Sequence, residues 1–150
     1  MERRAFEELA AQIVEGAADA VIFSDREGKI LVWNRGAERI FGFAAEEALG
    51  RSMDLIIPER LRARHWEGWD RVMETGVTRY STDTLAVPAL RKDGSTISIE
   101  FTIQLVRDGA GAIVGPVAIL RDVTARFQRE KELRARLKEA EAKLAARPGA

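Results

Sequence analysis

Apolar residues recur with a helical period at the start of the chain and form two short runs after it. The spacing over residues 2–15 is that of an amphipathic helix with one apolar stripe. That stripe consists of Phe6, Leu9, Ala10, Ile13 and Val14. The runs 20–24 and 30–33 are β-prone, and the Asp and Gly between them suit a hairpin turn. The pattern predicts a helix followed by a first strand pair.

The middle of the chain has the signals of several helices. Asn34 is a candidate N-cap for a short helix over 35–41, and a further helical turn fits 44–49. Pro58 is tolerated in the first turn of a longer helix that runs to Thr75. We therefore expect three helices between the first strand pair and the second half of the chain.

Beyond residue 76 the apolar period changes from helical to two. The alternation is plainest where Ile97, Ile99, Phe101, Ile103 and Leu105 alternate with Ser98, Glu100, Thr102 and Gln104. This predicts a half-buried strand with the first set facing inward. A preceding strand over 79–90 contains Pro88, which implies a sheet edge or a bulge, and a last strand covers 113–120. The predicted order is β-β-α-α-α-β-β-β.

A charged helix is predicted over 124–147, and its apolar residues form a seam. Leu133, Leu137, Ala140 and Leu144 follow one another at spacings of 4, 3 and 4, as the a and d positions of a coiled coil do. Two heptads leave a solvated helix open as the alternative. The seam and the N-terminal stripe together predict a homodimer. From residue 121 onward nine Lys or Arg exceed five Asp or Glu, a net charge of +4.

Composition narrows the class of protein. The 150 residues fit one domain, and 24 basic residues balance 24 acidic ones, which argues against a general nucleic-acid-binding surface. No run reaches the ~18 to 20 apolar residues of a membrane span and no signal peptide precedes the first helix, so we expect a cytoplasmic protein. The absence of cysteine excludes disulfides, thiolate metal sites and cysteine nucleophiles.

Enzymatic motifs are missing from the sequence. There is no G-x-S-x-G nucleophile motif and no glycine-rich phosphate loop. The carboxylates of Glu46 and Glu47, or of Glu67 and Glu74, have no spacing that suggests paired acid and base, and solvated helix faces explain them. We therefore expect a protein that is not an enzyme.

Four segments, in order, resemble one family. They are 19–25 with Gly28 after it, 33–43, 91–95 and 121–124. Over roughly residues 8–126 the chain resembles the PAS domains of bacterial signalling proteins. The resemblance implies an α+β fold in which helices cover one face of a five-stranded antiparallel sheet, with a small pocket between them and flanking N- and C-terminal helices. It divides the chain into an N-terminal helix (1–16), a PAS sensor domain (17–123) and a helical signalling linker (124–150).

The resemblance also implies a role in signal transduction. PAS domains commonly lie upstream of histidine kinases, diguanylate cyclases or chemotaxis receptors, as in two-component systems. We expect such an output domain in the parent protein or in trans. The exit segment couples the last strand to the outgoing helix in this family, which makes Asp122 and Thr124 the expected relay residues.

His65 is the only histidine, and it lies on the apolar face of the long helix. A neutral imidazole there can be the axial ligand of a haem iron, or simply a packed and hydrogen-bonded ring. Haem-binding oxygen-sensor PAS domains are similar in placing their proximal histidine at this point. Those sensors carry a distal arginine that bonds the gas, and Leu85 lies near that position here. The resemblance therefore does not extend to oxygen selectivity by that route.

The predicted ligand pocket combines this helix with the sheet. Its expected lining is Leu61, His65, Trp69, Val72, Leu85, Ile99, Phe101 and Ile103. Trp33, Trp66 and Trp69 can stack on a flavin, but the lack of cysteine excludes the photochemistry that forms a cysteine adduct. Haem, and with it gas sensing, is the leading single candidate and flavin the weaker one. A sensory module with a ligand and an interaction module without one both remain open.

Overall fold

The computed structural model describes residues 1–81 and 85–149, and only the backbone of Leu85. The helices and strands are α1 (Arg3–Gly16), β1 (Ala20–Ser24), β2 (Ile30–Trp33), α2 (Arg35–Phe41), α3 (Ala45–Ala48), α4 (Glu59–Thr75), β3 (Leu85–Leu90), β4 (Thr96–Arg107), β5 (Ile113–Asp122) and α5 (Thr124–Ala145). This order confirms the prediction. Short 3₁₀ turns cover Met53–Ile56 and Arg79–Ser81.

One predicted strand begins later than expected. Residues 79–81 form a 3₁₀ turn, in which the hydroxyl of Thr78 accepts a hydrogen bond of 3.2 Å from the backbone N–H of Tyr80. That local bond offers the backbone an alternative to strand pairing. Residues 82–84, which the prediction placed in the same strand, lie outside the described residues. The strand itself covers 85–90.

The five strands form one antiparallel sheet in the order β2-β1-β5-β4-β3. Proline cannot donate a backbone hydrogen bond, and Pro88 lies in β3 at the edge of the sheet, where one side of the strand needs no donor. Of the two alternatives for Pro88, a sheet edge or a bulge, the structure shows the edge. We call the sheet face that carries Ala20, Ile22, Ile97, Ile99 and Leu120 the inner face, because all five residues are buried.

The core lies between the inner face and the short helices that follow β2. Ile22, Ile30 and Phe41 are almost fully buried, and Trp33 packs on Phe41 with ring centroids 5.5 Å apart. The indole of Trp33 donates a hydrogen bond of 2.9 Å to the carbonyl of Phe43. These contacts seal the β2 end of the sheet with side chains.

Asn34 joins the first helix to the core. Its side-chain oxygen accepts hydrogen bonds from the backbone N–H groups of Ala37, at 3.0 Å, and Val21, at 2.9 Å. Its amide nitrogen donates to the carbonyls of Val14, at 2.8 Å, and Asp19, at 3.1 Å. The predicted N-cap is therefore confirmed. The fully buried amide also fixes the end of α1 against β1.

The terminal helices expose their apolar residues. On α1, Phe6 and Ile13 are 62% and 63% exposed, and on α5, Leu133 and Leu137 are 61% and 60% exposed. No residue of either helix is buried within the described chain. Among the described residues, no helix is long and apolar enough to cross a membrane.

Candidate functional site

The imidazole of His65 lies half-buried on α4 between two indole rings. Its ring centroid is 4.8 Å from that of Trp66 and 5.8 Å from that of Trp69. The Nδ1 atom is buried and has no hydrogen-bond partner among the described residues. Burial lowers the pKa of His65 below its usual value, and the Asp54 carboxylate opposes this only in part. The site therefore holds a neutral imidazole with one unsatisfied nitrogen.

The two indoles tie α4 to neighbouring segments. The Nε1 of Trp66 donates to the Oδ1 of Asp54 at 2.8 Å, and the Nε1 of Trp69 donates to the carbonyl of Arg26 at 2.9 Å. Both rings also pack against the hydrophobic core. Sequence reasoning expected Trp69 in the pocket but gave Arg26 and Asp54 no role. Neither residue has a sequence signal beyond its charge.

The sheet side of the site follows from strand register. Phe101 is paired with Leu120, which is paired with Ala20, and Ile103 is paired with Ala118, which is paired with Ile22. Directly paired residues share a face, so the predicted inward set of β4 lies on the inner face. Ile99 is buried with 3% exposed, whereas Phe101 and Ile103 are half-buried.

The remaining predicted lining residues are Leu61 and Val72 on α4 and Leu85 on β3. Leu61 and Val72 are half-buried on α4, one helical turn before His65 and two turns after it. The backbone of Leu85 pairs with Phe101, but its side chain lies outside the described part of the structure. Tyr80 was not predicted as a lining residue. Its ring centroid lies 6.2 Å from that of Phe101.

Two features of the structure lie apart from His65. Trp33, which was one of three candidates for stacking on a flavin, packs with Phe41 and Phe43. A surface hollow of about 710 Å³ is lined by residues of α2 and its surroundings, including Arg35 and Arg39. The structure therefore does not bring the three tryptophans together.

The exit from β5 is bonded to β4. The backbone N–H of Val123 donates to the carbonyl of Ser98 at 2.8 Å, and the hydroxyl of Thr124 accepts from the N–H of Ser98 at 3.0 Å. The carboxylate of Asp122 accepts from the N–H of Thr124 at 2.9 Å and also from its hydroxyl. Arg126 adds an ion pair to Glu100 of β4. The predicted relay residues thus connect two strands to the first turn of α5.

The donor set limits the metals that the site can hold. The described residues contain no group of three or more His, Cys, Asp or Glu that could hold an ion. A haem needs only one or two protein ligands because its macrocycle supplies the others. The neutral imidazole of His65 and the half-buried apolar side chains of Phe101 and Ile103 are of the chemical type that holds such a group.

Two curated proteins similar to this chain are sensors. The chain is 28% identical over 132 residues to the sensor protein FixL of Bradyrhizobium diazoefficiens. This match covers 88% of the chain and 25% of that protein. It is also 28% identical over 115 residues to the oxygen sensor protein DosP of Escherichia coli. This second match covers 77% of the chain and 14% of that protein. The chain thus spans a quarter or less of these relatives.

Solved structures share the fold. A PAS domain from Colwellia psychrerythraea superposes with a TM-score of 0.70 at 23% identity, covering 80% of this chain and 98% of that one. An RNA-binding light-oxygen-voltage receptor superposes with a TM-score of 0.76 at 23% identity, covering 92% of this chain and 39% of that one. A sequence model of the PAS fold matches residues 14–128. Since this match covers most of the chain and the architecture agrees with it, the chain belongs to the PAS fold family.

Proposed function

We propose that this chain is the sensory PAS module of a bacterial signalling protein and binds a small, apolar or planar ligand between α4 and the inner face. The observation that carries the proposal is the half-buried imidazole of His65, which lies between two indole rings on α4 and whose pKa is lowered by burial. A neutral imidazole can serve as the protein ligand of a haem iron. The half-buried Phe101 and Ile103 supply apolar surface on the inner face.

Haem is the leading candidate for this ligand. His65 would hold the iron, and Leu61, Trp69, Val72, Leu85, Ile99, Phe101 and Ile103 would line the ring. When bound, the haem supplies an iron that takes up a diatomic gas. Because leucine has no side-chain hydrogen-bond donor, a distal Leu85 would favour ligands that depend little on such a bond, such as carbon monoxide or nitric oxide, over oxygen. Flavin is the weaker candidate because Trp33 lies with Phe41, apart from Trp66 and Trp69.

The signal would leave through the strands. A ligand that prefers one pose of the inner face shifts the population of the sheet toward that pose. Thr124 and Val123 are both bonded to Ser98 of β4, next to the buried Ile97 and Ile99. A displacement of β4 would therefore change the first turn of α5, which would pass it on to an output domain.

The output is expected to be a kinase. This chain is 28% identical over 122 residues to the signal transduction histidine-protein kinase AtoS of Escherichia coli, of which it spans 19%. We infer a histidine kinase in the parent protein or in trans, with a diguanylate cyclase as the alternative output. We place the module in the cytoplasm as a homodimer, in a sensing role without catalysis.

An interaction module without a ligand is the second candidate. The observation in its favour is the exposed apolar stripe of α1, where Phe6 and Ile13 have no cover in the single chain. In that case the terminal helices and not the pocket would receive the signal. The two candidates differ in one observable, which is the presence of a chromophore or other small ligand in the folded protein.

The absorbance spectrum of the purified protein tests the proposal, followed by titration with hemin. We expect the wild type to develop a Soret band at one equivalent of hemin and His65→Ala to lose or shift it while keeping its circular dichroism spectrum. Arg64→Ala is the matched control, since Arg64 is exposed on the same helix. An unchanged Soret band in folded His65→Ala would remove His65 from the role. No binding of hemin or flavin by the wild type would favour the interaction module.

A further inference from the structure

The turn between β1 and β2 contacts α4 through Gly28 and Trp66. Gly28 has a φ of +82°, and a Cβ placed on it would lie 2.2 Å from the Cη2 atom of Trp66. Both the backbone conformation and the lack of space therefore require glycine there. The indole of Trp66 lies directly on the turn, and its Nε1 is fixed by Asp54 at 2.8 Å. The helix that carries His65 thus contacts the hairpin through a rigid ring.

Arg26 binds the other end of the same helix. Its Nη2 donates to the carbonyl of Met73 at 3.5 Å, and its Nη1 donates to the carbonyl of Ile113 at 3.1 Å. The last carbonyls of a helix have no partner within the helix, and a cation near them is stabilising. The carbonyl of Arg26 accepts the indole N–H of Trp69. One residue therefore links the turn, the last turns of α4 and the first residue of β5.

We propose that Arg26 is a positioning residue that sets the pose of α4, and therefore of His65, relative to the sheet. Among the described residues, Trp66 and Trp69 are the only aromatic side chains that pack against His65. The ring of Trp66 lies on Gly28 of the turn, and the indole of Trp69 donates to the carbonyl of Arg26. The inference deepens the proposed ligand site and rests on it for its functional meaning. The positioning itself is a property of the folded chain without ligand.

The same contact reaches the relay. β5 begins at Ile113, whose carbonyl accepts the bond from Arg26, and ends at Asp122 beside the start of α5. Near its beginning, a Cβ on Gly115 would lie 1.8 Å from the carbonyl oxygen of Ser24. The backbones of β1 and β5 therefore touch there, and a shift of the turn displaces β5. A change in the pose of α4 thus has a route to α5 along β5 as well as along β4.

The test uses Arg26→Gln and Arg26→Lys in the full chain, with Arg39→Gln as the control. Arg39 is exposed and has no side-chain hydrogen bond among the described residues. We expect Arg26→Gln to raise hydrogen exchange in residues 69–75 by about tenfold, because hydrogen bonds from a charged donor are lost. Tryptophan emission should shift to longer wavelength. Arg26→Lys should restore part of both effects, and the control should match the wild type.

A second variant tests the contact between Gly28 and Trp66 directly. Gly28→Ala should displace Trp66, quench or shift the same emission and raise the same exchange. Wild-type exchange over 69–75 in both folded Arg26 variants would overturn the inference, as would equal exchange changes across all helices, which indicate general destabilisation. Neither measurement involves a ligand. Failure of the wild type to bind hemin would therefore count against the proposed ligand, whereas unchanged exchange would count against the role of Arg26.

Discussion

The hydroxyl of Thr124, the first residue of α5, accepts a hydrogen bond of 3.0 Å from the backbone N–H of Ser98 in β4. Ser98 also accepts the N–H of Val123 through its carbonyl, so both backbone groups of one strand residue are used by the chain that leaves the sheet. The residues on either side of Ser98, Ile97 and Ile99, are buried on the inner face. The outgoing helix is thus bonded to the strand position that borders the core.

Replacing Thr124 by valine should weaken this connection. Valine keeps the shape but leaves the part-buried N–H of Ser98 without its acceptor, which costs about 1 kcal/mol, the low end of the range for a buried donor. We expect a lower free energy of unfolding in urea and faster hydrogen exchange in the first turn of α5. Thr124→Ser, which keeps the hydroxyl, is the control and should stay within about 0.5 kcal/mol of the wild type. Equal behaviour of the two variants would contradict a role for the hydroxyl.

Much of the fold could be predicted because its signals are local. The alternation in β4 and the capping residue Asn34 depend on neighbours within a few positions, and both predictions are confirmed. The relay residues were expected from the family resemblance; in the structure Thr124 is bonded to Ser98 and Asp122 to Thr124.

The missed parts of the site depend on distant contacts. Arg26 bonds carbonyls that lie 47 and 87 positions away, and a backbone carbonyl leaves no trace in the sequence. The contact between Gly28 and Trp66 likewise joins a turn to a helix far along the chain. Trp33 was grouped with the other tryptophans by residue type, but the fold places it with Phe41.

The two faces of β4 should respond differently to a charge. Ile99 is buried, and an aspartate there would be an unpaired charge in the core. We expect Ile99→Asp to cost more than about 4 kcal/mol or to prevent folding. Thr102 is half-buried on the outer face opposite Ile119, which is 47% exposed, so Thr102→Asp should cost about 1 kcal/mol or less. Urea denaturation of both variants measures the difference, and equal losses would show that the faces are misassigned.

The stability of the protein without ligand should fall in mildly acidic solution because of His65. Burial lowers the pKa of His65 in the folded chain, whereas the unfolded chain binds the proton near its usual value of about 6.5. As pH falls through that value, the unfolded state takes up more protons, so the free energy of unfolding decreases until the folded pKa is passed. We expect the wild type to lose more stability than His65→Gln between about pH 7 and pH 5.5.

This window separates His65 from the carboxyl groups. Hydrogen bonds from Ser95 lower the pKa of Asp93, and a hydrogen bond from Lys92 lowers that of Glu47, so both groups stay ionised until more acidic solution. Urea denaturation at the two pH values provides the measurement. An identical loss in wild type and His65→Gln would show that the imidazole does not carry the pH dependence.

The intact chain should be a dimer that depends on its terminal helices. An isolated helix of about 12–15 residues is marginal in water, yet α1 has 14 residues and exposes Phe6 and Ile13. On α5 the seam residues Leu133 and Leu137 are similarly uncovered. A second copy would bury both surfaces. In a two-fold symmetric dimer each of these residues contributes once from each subunit. Deletion of residues 126–150 should therefore weaken the dimer.

A single substitution in the seam gives the sharper test. Leu137→Asp removes about 1.5–3 kcal/mol of burial from each subunit, so the dissociation constant should rise at least about a hundredfold. Lys138→Ala, next to it but outside the seam, should leave the constant unchanged. Sedimentation velocity over a range of concentrations measures both. If the intact wild type sediments as a monomer at high concentration, the exposed stripes on α1 and α5 serve another partner and the dimer is excluded.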